Sequence, residues 1–94
     1  AKHPGMTRDI ALVVNREVLA DDLVQTIKKA ANKLLQTVEV FDIYEGKGVE
    51  EGKKSVAFSL VFRAKDRTLS DTEISEIMDK ILAELTGLGA VLRQ

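Results

Sequence analysis

The residues with the most chemistry in this chain fall in one stretch, FDIYEGKGVEEGKKS, residues 41–55. Asp42 offers two acceptor oxygens, Tyr44 an aromatic plane, Ser55 a hydroxyl, and Lys53 and Lys54 two ammonium groups. An acid, an aromatic and a hydroxyl on one sheet face can stack an unpaired base and hydrogen-bond its edge. Paired lysines at the end of a loop can meet a backbone phosphate. The same residues also fit an ordinary solvated sheet face carrying one tyrosine, and the spacing alone leaves both readings open.

Other chemistries are closed by composition. The 94 residues include no cysteine, so there is no disulfide framework, thiol nucleophile or thiolate metal site. His3 is the lone imidazole, and without a second histidine or a cysteine it does not anchor zinc. The glycines of EGKGVEEGKKS resemble a phosphate cradle superficially, but a Walker-type loop needs a following helix to aim its amides, and this loop joins two predicted strands. Glu50, Glu51, Asp71 and Glu73 read as solvation and capping, and no nucleophile and base pair is visible. A net charge of −1, from 14 basic and 15 acidic side chains, argues against binding nucleic acid by bulk counterion release. Any RNA contact must be local.

The elements that position these residues follow from periodicity. RDIALVVNRE, residues 8–17, reads as a strand with Ile10, Leu12 and Val14 on one face. Residues 21–36, DDLVQTIKKAANKLLQ, place Leu23, Ile27, Ala30 and Leu34 on a helical stripe widened by Val24, Ala31 and Leu35. Residues 37–45 and 54–64 read as two strands joined by the glycine-punctuated loop, the second alternating Val56, Phe58, Leu60 and Phe62 with small residues. SDTE, residues 70–73, is a capping box opening a helix whose stripe is Ile74, Ile77, Met78, Ile81, Leu82 and Leu85. Gly87 and Gly89 end it, and residues 90–94 supply a short last strand.

The order βαββαβ is that of an α+β, ferredoxin-like sandwich: a four-stranded antiparallel sheet with two helices on one face and the other face open. If Phe41 and Ile43 point at the helices, period-2 alternation sends Val40, Asp42 and Tyr44 to the open face, together with Ser55, Ala57 and Ser59. Residues 1–94 form one domain. A chain opening AKHPG without an initiator methionine reads as a segment of a larger polypeptide, with a tag-derived residue allowed at Ala1. With no run of 18 apolar residues and no signal-peptide pattern, the expected setting is the cytoplasm, away from membranes.

RDIALVV, FDIYEGKGVEEGKKSVAFSLVFRAKDRTLSDTEI and GAVLR together resemble the ferredoxin-fold anticodon-binding domain at the C-terminus of the bacterial phenylalanyl-tRNA synthetase beta subunit, over residues 4–93. The distinctive pattern is F-D-x-Y-x-G, then G-K-K-S, then R-T-L-S-D-x-E. The resemblance implies a parent that charges tRNA(Phe) with ATP and magnesium as an α2β2 assembly. Its catalytic centre would lie in the alpha subunit, so this segment would carry no catalytic residue, cofactor or metal. It further implies that Asp42, Tyr44 and Ser55 contact the first anticodon base, a guanine, whose N1 and N2 donors suit a carboxylate. The family commonly shows two basic residues before D-I-A, whereas this chain has Thr7 and Arg8, which leaves Arg8 beside Lys53 and Lys54 as a phosphate-contacting candidate.

Two further readings compete. One is a ferredoxin-like regulatory or assembly module binding a small ligand or a partner protein, since this superfold hosts many functions. A protein-docking face should be broadly apolar, and the predicted open face is mixed. The other is an acylphosphatase-like enzyme, which would need an arginine-bearing phosphate loop after the first strand. NREVLADD, residues 15–22, has no glycine there.

Overall fold

The computed structural model describes residues 4–93; the candidates raised on Ala1 and His3 lie outside them. Strand β1 spans Met6–Asn15, helix α1 Ala20–Ala31, strand β2 Leu35–Tyr44, strand β3 Lys53–Phe62, helix α2 Asp71–Thr86 and strand β4 Val91–Leu92. The sheet order is β2-β3-β1-β4, with β1 antiparallel to β3 and β4, and β2 antiparallel to β3. This is the expected βαββαβ sandwich.

The bulky face of β3 carries the core. Val56, Phe58, Leu60 and Phe62 are fully buried with Leu12 and Val14 of β1, Leu23 and Ile27 of α1, and Ile74, Ile81 and Leu85 of α2. Each helix stripe therefore meets one face of the two central strands, as the 3.6 and 2.0 periods require. The capping box of α2 is formed, with the Glu73 amide donating to Ser70 Oγ and the Ser70 amide donating to Glu73 Oε1, both at 3.2 Å. Arg67 also donates to the Glu73 carboxylate. This bond, with help from the Ser70 amide, holds Glu73 below its ordinary pKa.

Strands β1 and β3 run Met6–Asn15 and Lys53–Phe62 rather than residues 8–17 and 54–64, and two further differences from the expectation bear on β2. Helix α1 stops at Ala31 and tightens into a single 3-10 turn, Asn32–Leu34, so β2 begins at Leu35 rather than Thr37. Tertiary hydrogen bonding decides this: the Arg63 amide donates to the Leu34 carbonyl at 2.8 Å, and Arg63 Nε donates to Gln36 Oε1 at 2.9 Å. These bonds hold the segment against the end of β3, and a helix continuing to Gln36 would forfeit them.

The second difference concerns parity. Gln36 and Phe41 have no partner on β3, which marks two bulges in the edge strand β2. Val40 consequently pairs with Phe58 and lies on the helix face, not on the open face where simple alternation puts it. Phe41 is 59% exposed and is not covered by the helices. A bulge inserts one residue, and every side chain on one side of it exchanges faces. Downstream of the bulge the expected assignment holds: Ile43 pairs with Val56 on the helix face, Asp42 with Ala57 and Tyr44 with Ser55 on the open one. Ile43 is nevertheless 53% exposed, because the helices cover β3 and stop short of this end of β2.

Candidate nucleic-acid interface

The open face is assembled from alternate residues of all four strands. Thr7, Asp9, Ala11 and Val13 of β1 lie opposite Val61, Ser59, Ala57 and Ser55 of β3. On the other side of β3, Thr37, Glu39, Asp42 and Tyr44 of β2 take the same four partners. Directly opposed residues share a face, so these pairings place Asp42 and Tyr44 side by side on it. Two residues of extended strand separate their Cα atoms by about 7 Å. Small neighbours, Ala11 and Ala57, leave the surface beside Asp42 low. A carboxylate and an aromatic ring at this spacing can hold the edge and the plane of one base.

Tyr44 is held on several sides. Its hydroxyl donates to the Lys47 carbonyl oxygen at 2.8 Å, and the Arg93 guanidinium carbon lies 5.5 Å from its ring centroid. That geometry is a cation–π contact. Arg93 was not singled out from the sequence. The signal was available in GAVLR: Val91 pairs with Val13 on the open face, and Arg93, two residues on, returns to that face. The Arg93 amide donates to the Ala11 carbonyl at 2.7 Å, which extends the β1–β4 ladder by one residue.

Ser55 lies on the expected face but is only 3% exposed. It sits on β3 between Val13 and Tyr44, whose larger side chains flank a small one, so it forms the floor of the site rather than its surface. Strand alternation reveals the face a residue occupies and is silent on its depth.

The basic candidates divide. Lys53 lies opposite Asn15 with the parity of Ser55, on the open face, with Nζ 4.0 Å from Glu50 Oε2. Lys54 lies opposite Val14, and Arg8 opposite Leu60, both on the helix face. Arg8 Nη2 is 3.5 Å from Asp71 Oδ1 at the start of α2 and Nη1 donates to the Thr7 carbonyl at 2.9 Å. The structure thus brings together Asp42, Tyr44, Ser55 and Lys53, adds Arg93, and leaves Lys54 and Arg8 on the other side of the sheet. Charge on the open face is correspondingly graded, from Lys53 and Arg93 at the loop end to Asp9, Glu39 and Asp42 further along.

No group of three or more His, Cys, Asp or Glu side chains converges among the described residues in a way that could hold a metal ion. The carboxylates of the open face are spread along two strands on either side of β3. No helix among the described residues is long and apolar enough to cross a membrane.

Comparison with known proteins agrees with this geometry. The chain is 50% identical over 93 residues to a phenylalanine-tRNA ligase beta subunit of Shouchella clausii, covering 98% of this chain and 12% of that protein. It is 46% identical over 93 residues to the protein of that name from Clostridium tetani, with the same coverage, and 49% identical over 84 residues to that of Bacillus subtilis, covering 89% of this chain and 10% of the relative. The chain spans about an eighth of the length of the first two of these curated relatives. A family model described as the ferredoxin-fold anticodon binding domain matches residues 1–93. Sheet order, the uncovered face with its acid and aromatic, and a match over nearly every residue converge: the chain belongs to the ferredoxin-fold anticodon binding domain family.

Proposed function

We propose that this chain is the part of a phenylalanine-tRNA ligase beta subunit that reads the first anticodon base of tRNA(Phe), and that it acts in the cytoplasm within an α2β2 enzyme. The observation that carries the reading is the placement of Asp42 and Tyr44 two residues apart on the uncovered face, over Ala57 and Ser55. Asp42 accepts from the N1 and N2 donors of guanine, which present two hydrogens to one carboxylate. Adenine, cytosine and uracil do not present that pair, so an ionised acid selects guanine. Tyr44 supplies the stacking plane. Arg93 and Lys53 supply positive charge at the loop end, where the flanking phosphates approach. Ser55 sets the floor on which the base edge rests.

The chain contributes recognition and no bond-making step. In the whole ligase, ATP and magnesium chemistry is assigned to the remainder of the assembly, and no step of this reading passes through either. Deleting this domain from the ligase tests the proposal. The KM for tRNA(Phe) should rise at least tenfold, while phenylalanine-dependent ATP–pyrophosphate exchange, which needs no tRNA, continues at its usual rate. An unchanged KM for tRNA in a deletion variant that still activates phenylalanine would refute the reading.

A further inference from the structure

The loop after Tyr44 does more than connect two strands. Residues 45–52 contain three glycines with positive φ: Gly46 at 136°, Gly48 at 92° and Gly52 at 85°. A Cβ built on Gly46 would lie 3.2 Å from the Tyr44 hydroxyl oxygen, 3.5 Å from its Cζ and 3.9 Å from its Cε1. The ring edge therefore rests against the Gly46 backbone. One residue on, the Lys47 carbonyl accepts the Tyr44 hydroxyl proton at 2.8 Å. The turn is closed by the Val49 amide donating to the Gly46 carbonyl at 3.0 Å. A Cβ on Gly48 would lie 3.6 Å from Arg93 Nη2, so the same loop also borders the guanidinium that lies over one face of the tyrosine ring.

We infer that the Gly46–Lys47 turn is a latch that fixes the attitude of the Tyr44 ring before RNA arrives, which makes Gly46 a positioning residue of the base-reading face. This rests on the function proposed above. The physical reason is preorganisation. An exposed tyrosine at the end of an edge strand samples its rotamers on the picosecond to nanosecond scale, and freezing it on binding costs affinity. A hydroxyl already bonded to a rigid carbonyl, with its edge on a residue that has no side chain, has lost that freedom in advance. Gly46 meets two demands at once, since its φ of 136° disfavours any L side chain and its missing Cβ makes room for the phenol. The hydroxyl is turned toward the loop, so guanine is read by Asp42 and the tyrosine contributes its plane alone.

The latch can be tested apart from RNA. Tyr44 is the only tyrosine and the chain has no tryptophan, so intrinsic fluorescence of the 94-residue chain reports this ring. Time-resolved anisotropy should follow overall tumbling alone, and Gly46→Ala should add a fast component. A large fast component already present in the unsubstituted chain would overturn the latch.

In the whole ligase, Tyr44→Phe should raise the KM for tRNA about 3- to 10-fold, the scale of one net hydrogen bond, equally for all four first anticodon bases and with kcat unchanged. Gly46→Ala should raise KM too, but by a smaller factor in the Tyr44→Phe background, where the hydroxyl oxygen 3.2 Å from the new methyl is gone and the nearest atom is Cζ at 3.5 Å. A merely structural role for Gly46 would leave that factor the same in both backgrounds, and this result would overturn the positioning assignment. Wild-type KM in Tyr44→Phe alongside a large loss in Tyr44→Ala would overturn the latch and leave the base-reading face standing. Wild-type KM in Tyr44→Ala would remove both.

Discussion

Replacing Asp42 is the most direct probe of the proposed base selection. Its carboxylate is exposed on the open face opposite Ala57, so substitution removes acceptor oxygens without leaving a cavity or a buried charge. A hydrogen bond to a charged group contributes about 1.5–3 kcal/mol. Two such bonds to one base edge share a single charge and are partly solvated, so the lower end of the range applies to each and about 3 kcal/mol to the pair. Asp42→Ala should then lower kcat/KM for tRNA(Phe) roughly 150-fold, taking 1.4 kcal/mol per factor of ten. Asp42→Asn, which keeps one acceptor but loses the charge and turns an amide donor toward a guanine donor, should lose at least half that free energy, a factor of about 10 or more. The assay is aminoacylation by the whole ligase with transcripts carrying guanine or inosine at the first anticodon position. Inosine lacks the N2 amino group and forfeits one of the two bonds. In the unsubstituted enzyme it should therefore cost about tenfold, and in Asp42→Ala almost nothing, because the partner oxygen is already gone. If the inosine penalty persisted undiminished in Asp42→Ala, the carboxylate would not be reading N2, and the assignment of Asp42 would be wrong.

Two predictions concern the scaffold. Phe58 is fully buried at the centre of β3, beneath both helices, and Phe58→Ala should destabilise the chain by about 3–5 kcal/mol, measured by urea denaturation; a loss under 1 kcal/mol would contradict the described core. Glu73 is held below its ordinary value of 4.5 by Arg67, so the stabilisation it provides is complete above pH 4.5 and is lost as pH falls below it through the lowered value. Glu73→Gln should be less stable than the parent at neutral pH and should converge with it under acid, as read by melting temperature against pH; a constant difference across the acid range would exclude this ion pair as the cause.

Residue types and periods were sufficient to place both helices, the alternation of β3 and the capping box, because burial on one face imposes periods of 3.6 and 2.0 that survive in the composition of each segment. They also placed Asp42 and Tyr44 together on the open face, since the two sit within one unbroken run of alternation from residue 42 to 44. What lay one residue earlier was not legible. The bulge at Phe41 depends on how β2 and β3 meet across ten residues of ladder, and no local signal in VEVFD announces the slip that moves Val40 to the helix face. The end of α1 was misplaced for a related reason: Leu34 and Leu35 satisfy a helical stripe as well as they begin a strand, and the choice is made by Arg63, distant in sequence, bonding to Leu34 and Gln36. Depth belongs to the same class, with Ser55 hidden by neighbours on two other strands. Arg93 reaches the Tyr44 ring only because β4 returns beside β1 and brings Arg93 to the open face. Local preference and period are written residue by residue along the chain, whereas register, depth and cross-strand contact are properties of pairs far apart in it, and only the assembled sheet decides them.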